Sequence, residues 1–255
     1  LTITAGLTNA HSGTSPTQAE VILLTRNVQI FGASATLQSY IDIKPTATVD
    51  VDWTKFKWLG SATANKRGID VATTTGSCVF TYCALDAFSV PGSLGVSLTG
   101  ASSNNYTFQH IVSYAMSSIH FVNSATSGTA WTVDNWFALG GTVTTNAVFS
   151  FLDVGGTITN ITAAGNANTA AIISLAEPGA TIGTISGLTA HSNGGNIAIH
   201  LNAILNGTIA NITSWRSNST RGLHLTDLAN IILDTVTLFG NITANLTMGG
   251  GFKDV

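Results

Sequence analysis

A four-residue pattern recurs along the chain: an apolar residue, a usually polar one, a pivot, and a second, usually apolar residue. It reads Val51-Asp-Trp-Thr54, Phe80-Thr-Tyr-Cys83, Phe108-Gln-His-Ile111, Val133-Asp-Asn-Trp136, Ile158-Thr-Asn-Ile161, Ile185-Ser-Gly-Leu188, Ile209-Ala-Asn-Ile212 and Leu233-Asp-Thr-Val236, with successive copies 24 to 29 residues apart. Side chains of a plain strand alternate with period two, so two inward residues three positions apart require the chain to bend at the pivot. Asn and Gly tolerate the left-handed backbone that such a bend uses, which makes Asn135, Asn160, Gly187 and Asn211 structural pivots. Amides stacked in one column are further expected to form a hydrogen-bonded ladder.

A second pattern, apolar-polar-apolar, precedes each copy of the first: Ile41-Asp-Ile43, Ile69-Asp-Val71, Val96-Ser-Leu98, Ile119-His-Phe121, Phe149-Ser-Phe151, Ile173-Ser-Leu175, Ile199-His-Leu201, Leu223-His-Leu225 and Leu246-Thr-Met248. Short strands, a bend and a further strand in each repeat describe one coil of a solenoid, which buries its apolar face only by stacking on its neighbours. The predicted fold is an all-β, single-chain, right-handed parallel β-helix of about nine coils, on the order of 40 Å long at one strand spacing per coil. Helix formers do not compete, since Glu occurs only at Glu20 and Glu177.

Composition agrees with a large core and narrows the partners. Charged residues make up 8% of the 255-residue chain, against about 25% in ordinary soluble domains, and the 44% hydrophobic content argues against disorder. A net charge of −3 offers no basic footprint for a phosphate backbone, so nucleic acid is not an expected partner. Polar residues interrupt every apolar stretch, so no run reaches the roughly 18 to 20 residues of a membrane span. The chain opens on Leu1 without a signal-peptide pattern and reads as a mature product or an excised part of something longer. The spacing of Cys78 and Cys83 matches neither CxxC nor a zinc pattern, and Cys83 shares its inward column with Trp136, so both of these read as core. Trp215 and Phe239 are expected to stack over the end of the cylinder.

His11-Ser-Gly13, followed by Ala19-Glu-Val-Ile-Leu-Leu-Thr-Arg-Asn-Val-Gln-Ile-Phe-Gly32, resembles the end of the G8 domain and the start of the β-helix that follows it in fibrocystin-like and cell-migration-inducing hyaluronidase-like proteins. The resemblance divides the chain into residues 1–32, the end of a G8-like module leading into the first coil, and residues 33–255, the β-helix. Beyond the motif the chain is similar to the broad pectate-lyase-like class of right-handed β-helices, which includes polysaccharide enzymes and phage tail proteins. Its Ser/Thr/Asn-rich, charge-poor texture looks like that of virion structural proteins of marine bacteriophages. The hyaluronan-cleaving relatives place acidic residues soon after the motif's Arg, whereas Gln29 to Ser39 holds no Asp or Glu, so the resemblance does not bring the enzymatic activity with it.

Candidate sites follow from columns of the repeat. Arg26 and Asp52 occupy the same outward column on adjacent coils and are expected to form a structural ion pair. Asp42 and Asp70 are central residues of the second pattern on adjacent coils, both outward, which places two carboxylates about 5 Å apart. That spacing suits a solvated pair neutralised by Lys44, a structural Ca²⁺, or the acid and nucleophile of a retaining glycoside hydrolase. The same column continues through His120, His200 and His224, which form a candidate ligand-binding face; as a metal site it lacks a visible third ligand. No other cofactor is implied.

These readings favour a non-enzymatic structural or adhesive module of a larger extracellular or virion assembly, such as a tail, fibre or appendage, with neighbouring subunits or adjoining domains and surface polysaccharide as partners. The alternative is a polysaccharide lyase or hydrolase with Asp42 and Asp70 as its acids.

Overall fold

In the computed structural model the described residues are 28–250 apart from 35, 37, 62, 64–65, 73–75, 89–93, 99–105, 117–118, 124–130, 144–146, 153, 169–170, 177–181, 192, 217 and 242. Arg26, the motif from His11 to Gly32 up to residue 27, and hence the G8-like module lie outside or almost outside these residues. The described chain is all β-strand among its regular elements, and every strand pairing is parallel. Among the described residues no helix is long and apolar enough to cross a membrane.

Two faces of parallel strands build a β-helix. One is formed by longer, bent strands such as Tyr106–Met116, Thr157–Ala164, Thr184–His191, Leu205–Trp215 and Ala229–Phe239. The other is formed by Ile41–Ile43, Ile69–Val71, Leu94–Leu98, Ile119–Asn123, Phe149–Phe151, Ala171–Ala176, Gly194–Asn202, Asn218–Thr226 and Ala244–Gly249. The stack has about seven turns, against the about nine coils expected from the sequence repeats.

Register on the bent face follows the first repeat residue for residue. Val51 pairs with Phe80, Phe80 with Phe108, Phe108 with Val133, and the column runs on through Ile158, Ile185 and Ile209 to Leu233. From Phe80 to Ile209 these side chains are buried, as are Cys83, Ile111, Trp136, Ile161, Leu188 and Ile212 of the companion column. Cys78 is buried as well, and burial pushes its thiol up to about 12. The Cys83 thiol donates to the carbonyls of Thr81 and Val51 at 3.3 and 3.5 Å, so both cysteines are closed core residues.

The pivots have left-handed backbone: Asn135, Asn160 and Asn211 at φ 52°, 54° and 55°, and Gly187 at 71°. Trp53, Tyr82, His110 and Thr235 share the column at φ 51°, 53°, 54° and 55°. The amides of Asn160 and Asn211 bond to the column beside the pivots. Asn160 Nδ2 donates to Asp134 Oδ1 (2.9 Å) and Asn211 Nδ2 to Ser186 Oγ (3.0 Å), so each reaches the residue just before the pivot on the coil below. Gly187 makes this possible, since a Cβ there would stand 2.8 Å from Asn160 Oδ1. A left-handed β-branched residue costs roughly 1–2 kcal/mol. Asn160→Val is therefore expected to lower unfolding free energy by about that much, and Asn160→Gly by clearly less; equal losses in urea denaturation would contradict the pivot's role.

A second corner, which the repeat pattern did not reveal, also uses left-handed residues: Trp58, Ala87, Ala115, Gly140 and Gly165. Between the two corners the side chains alternate, inward at Ile212 and Ser214 and outward at Trp215. Trp215 and Phe239 therefore do not close the cylinder. They stack on its outer surface with ring centroids 5.9 Å apart, continuing from His191, and Phe239 is exposed.

The shorter-strand face departs from expectation at one rung. Ile41, Ile69 and Val96 pair in sequence, and Phe149 leads on through Ile173, Ile199 and Leu223 to Leu246. Between Val96 and Phe149, however, it is Phe121 rather than Ile119 that fills the column. The backbone N–H groups of His120 and Phe121 both donate to the Val148 carbonyl, at 2.9 and 3.3 Å, while Ile119 and Phe121 pair one for one with Leu94 and Val96. This two-residue offset from the sequence pattern takes His120 out of the outward column and into the core, where it is fully buried.

Candidate functional site

Asp42 and Asp70 are register neighbours, as their repeat positions require. They are not both outward-exposed. Asp70 is buried, accepting a 2.8 Å hydrogen bond from the Arg67 backbone N–H and another from the Ser97 hydroxyl. Burial raises the Asp70 carboxyl above the ordinary carboxylate range, the hydrogen bonds from Arg67 and Ser97 oppose that rise, and the nearby Asp42 adds to it. Asp42 is partly exposed and ion-paired with Lys44, whose pKa rises through its hydrogen bond to that carboxylate. The pair thus joins a carboxyl disposed to keep its proton to one held by a lysine. Asp52 is exposed on the strand Val49–Asp52; its expected partner Arg26 lies outside the described residues.

The three histidines separate. His200 and His224 stack on adjacent coils, centroids 4.9 Å apart and planes 12° from parallel. His200 Nε2 meets Thr226 Oγ1 at 3.2 Å and His224 Nδ1 lies 3.4 Å from Arg221. Burial lowers both imidazole pKa values; His200 is lowered further by His224 and Arg221, and His224 by Arg221. Both shifts favour the neutral ring. His120 sits in the interior, three rungs away, and shares no surface with them. Among the described residues no group of three or more His, Cys, Asp and Glu could hold a metal ion.

The densest polar cluster is one that sequence reading missed. Lys55 and Lys57 lie on Thr54–Lys57, Asp86 on Ala84–Asp86 of the next coil, and Tyr114 on Tyr106–Met116 of the one after. Lys57, Asp86 and Tyr114 are consecutive in one register column. Asp86 Oδ2 receives Lys55 Nζ at 2.8 Å and Lys57 Nζ at 3.4 Å, and Asp86 is buried beneath them. Burial pulls the Lys55 pKa down, but hydrogen bonds to Asp86 and Tyr114 outweigh it and leave the value raised. Burial also raises the Tyr114 phenol. The coil period was the available signal, because Lys57, Asp86 and Tyr114 follow one another at the repeat spacing.

Beside this cluster runs a ladder of rings on the pivot column. Trp53 stacks on Tyr82 at 4.3 Å and Tyr82 on His110 at 4.5 Å, with planes within 5° of parallel. His110 Nδ1 then accepts from Asn135 Nδ2 at 2.8 Å. Mutual stacking covers the ring faces along the ladder, so Trp53 and Tyr82, 46% and 39% exposed, offer edges to solvent next to two lysines.

The fold defines the chain as a parallel β-helix protein. No protein-family model, curated protein or solved structure matches it.

Proposed function

We propose that the chain is a non-enzymatic structural or adhesive module of a larger extracellular or virion assembly, joined end-on to a partner that continues its parallel strands. The observation carrying this reading is the last coil. Val236, Leu246 and Met248 stand in the columns of Ile212, Leu223 and Leu225, which are all core residues. Yet they are 39%, 49% and 56% exposed, because no described residue stacks on them. The strands Ala229–Phe239 and Ala244–Gly249 likewise present a backbone edge on that side, and an unpaired edge backed by apolar side chains is a template for another parallel strand. The fitting occupant is a coil bearing apolar residues at alternate positions, from a neighbouring subunit or an adjoining segment.

The ring edges of Trp53 and Tyr82 beside Lys55 and Lys57 supply a polar and aromatic outer surface suited to contact with surface glycans.

Sedimentation of the purified chain should show concentration-dependent association that Met248→Glu weakens at least about tenfold without lowering the melting temperature, as expected if that side chain is needed by the partner and not by the fold. Incubation with hyaluronan, pectin, alginate and bacterial surface polysaccharides should release no new reducing ends or unsaturated products. A monomer at every concentration would remove the end-on reading. Turnover lost in Asp42→Asn or Asp70→Asn would replace it with the polysaccharide-cleaving one.

A further inference from the structure

A line of polar side chains enters the interior at the strand Ile119–Asn123. Trp136 Nε1–H donates to Ser113 Oγ at 2.8 Å, and Ser113 Oγ lies 2.7 Å from His120 Nδ1. All three side chains are buried. An indole nitrogen only donates, so Ser113 meets Trp136 with a lone pair and has its own proton free for Nδ1. The imidazole then bears its proton on Nε2. Burial holds the ring neutral, with its pKa pushed down to about 3.

A second polar group approaches from a later coil. Asn166 is buried, and its Nδ2 donates to the carbonyls of Ala138 and Ala164 at 3.2 and 3.1 Å and to Asn193 Oδ1 at 3.2 Å. That orientation leaves Asn166 Oδ1 as an acceptor. Neither His120 Nε2 nor Asn166 Oδ1 has a hydrogen-bond partner among the described residues.

Both atoms border one spot. A Cβ on Gly141 would stand 3.0 Å from His120 Nε2, 3.4 Å from Asn166 Oδ1 and 2.4 Å from the Met116 carbonyl oxygen. Lacking a Cβ, Gly141 lets one donor and two acceptors converge beside it. Unpaired buried polar groups are expensive, and a buried water typically joins about three of them.

We propose that the unpartnered His120 Nε2 and Asn166 Oδ1 beside Gly141 hold a single buried water, which accepts from His120 Nε2–H and donates to Asn166 Oδ1 and the Met116 carbonyl. The chemistry suits water better than a cation, because Nε2 bears a proton and none of these three groups is negatively charged. The water completes a hydrogen-bonded line from Trp136 through Ser113, His120 and Asn166 to Asn193, tying successive coils together.

A crystal structure of the whole chain that resolves ordered solvent, together with ¹⁵N NMR of the His120 ring at neutral pH, tests this. The expected result is one solvent peak within hydrogen-bond distance of both His120 Nε2 and Asn166 Oδ1, with the ring protonated at Nε2. In His120→Phe that peak should disappear; should this variant fail to fold, the wild-type measurements decide alone. A direct Nε2–Oδ1 hydrogen bond, the absence of that peak in the wild type, or a ring protonated at Nδ1 would overturn the proposal.

Discussion

Lowering the pH from 7 to 4 is expected to cost the fold about 3 kcal/mol through His120 alone. In the unfolded chain the imidazole takes up a proton as the pH falls through about 6.5. In the folded chain it does so only near 3, because burial disfavours the charged ring. The folded-state value is depressed, so the stability is complete above about pH 6.5 and is lost on acidification by about 1.4 kcal/mol per pH unit until it levels off near the folded-state value. His191, His200 and His224 are shifted downward too, first of all by burial, and act in the same direction. Asp70 acts oppositely, since its raised pKa means that the folded state holds a proton more readily than the unfolded one. The contribution of His120 is isolated by comparing urea unfolding of wild type and His120→Gln at several pH values. Their stability difference should shrink as the pH falls from 7 to 4. Parallel curves would show that the ring is not buried as described.

His120 also marks where the sequence stops being readable. Columns such as Val133 to Ile209 were legible because inward positions are apolar and the pivots from Asn135 to Asn211 are Asn or Gly, two signals that agree at those copies. At the Ile119–Asn123 strand they disagree. Ile119-His-Phe121 fits an apolar-polar-apolar template, whereas the segment in register, Phe121-Val-Asn123, does not. Asn123 occupies a core position because its amide donates to the Tyr106 hydroxyl at 2.9 Å, a pairing between residues 17 apart that no local pattern announces. Buried Asn166 and Asn193 are hidden for the same reason: Asn193 donates to the Ala163 carbonyl and accepts from the Asn166 backbone, partners that only the stacking of coils supplies.

The Lys55, Lys57, Asp86 and Tyr114 cluster was missed differently. Its corner contains Trp58, Ala87, Ala115 and Gly140, with no one residue type repeated throughout, so only the repeat spacing of Lys57, Asp86 and Tyr114 marked that column. The Asp42 and Asp70 adjacency was legible from spacing, while the burial of Asp70 was not, because it depends on the Arg67 backbone and Ser97 closing over the carboxyl.

Replacing Trp136 with Ala should produce the largest loss of stability of any single side-chain truncation in the bent face, about 3–5 kcal/mol. Its indole has no exposed surface and meets three rings: Phe108 at 6.1 Å, Phe121 at 5.3 Å and Phe149 at 5.7 Å. The last two contacts are edge-to-face, so the variant forfeits oriented aromatic contacts as well as buried area. The cavity cannot close easily, because Trp136 is clamped between Ile111 and Ile161 in a register set by hydrogen bonds on both sides. Truncation also removes the donor to Ser113 Oγ. Trp136→Phe separates these effects: it restores most of the apolar volume and leaves chiefly the lost hydrogen bond, so its cost should be nearer 1 kcal/mol. Ile161→Ala and Ile212→Ala, at the same inward position on later coils, remove less volume and should fall within about 2–5 kcal/mol. Equilibrium urea unfolding of the four variants gives the comparison. If Trp136→Ala lost less than about 1 kcal/mol, the indole would have to lie outside the core, since truncating a buried aromatic side chain does not come so cheaply.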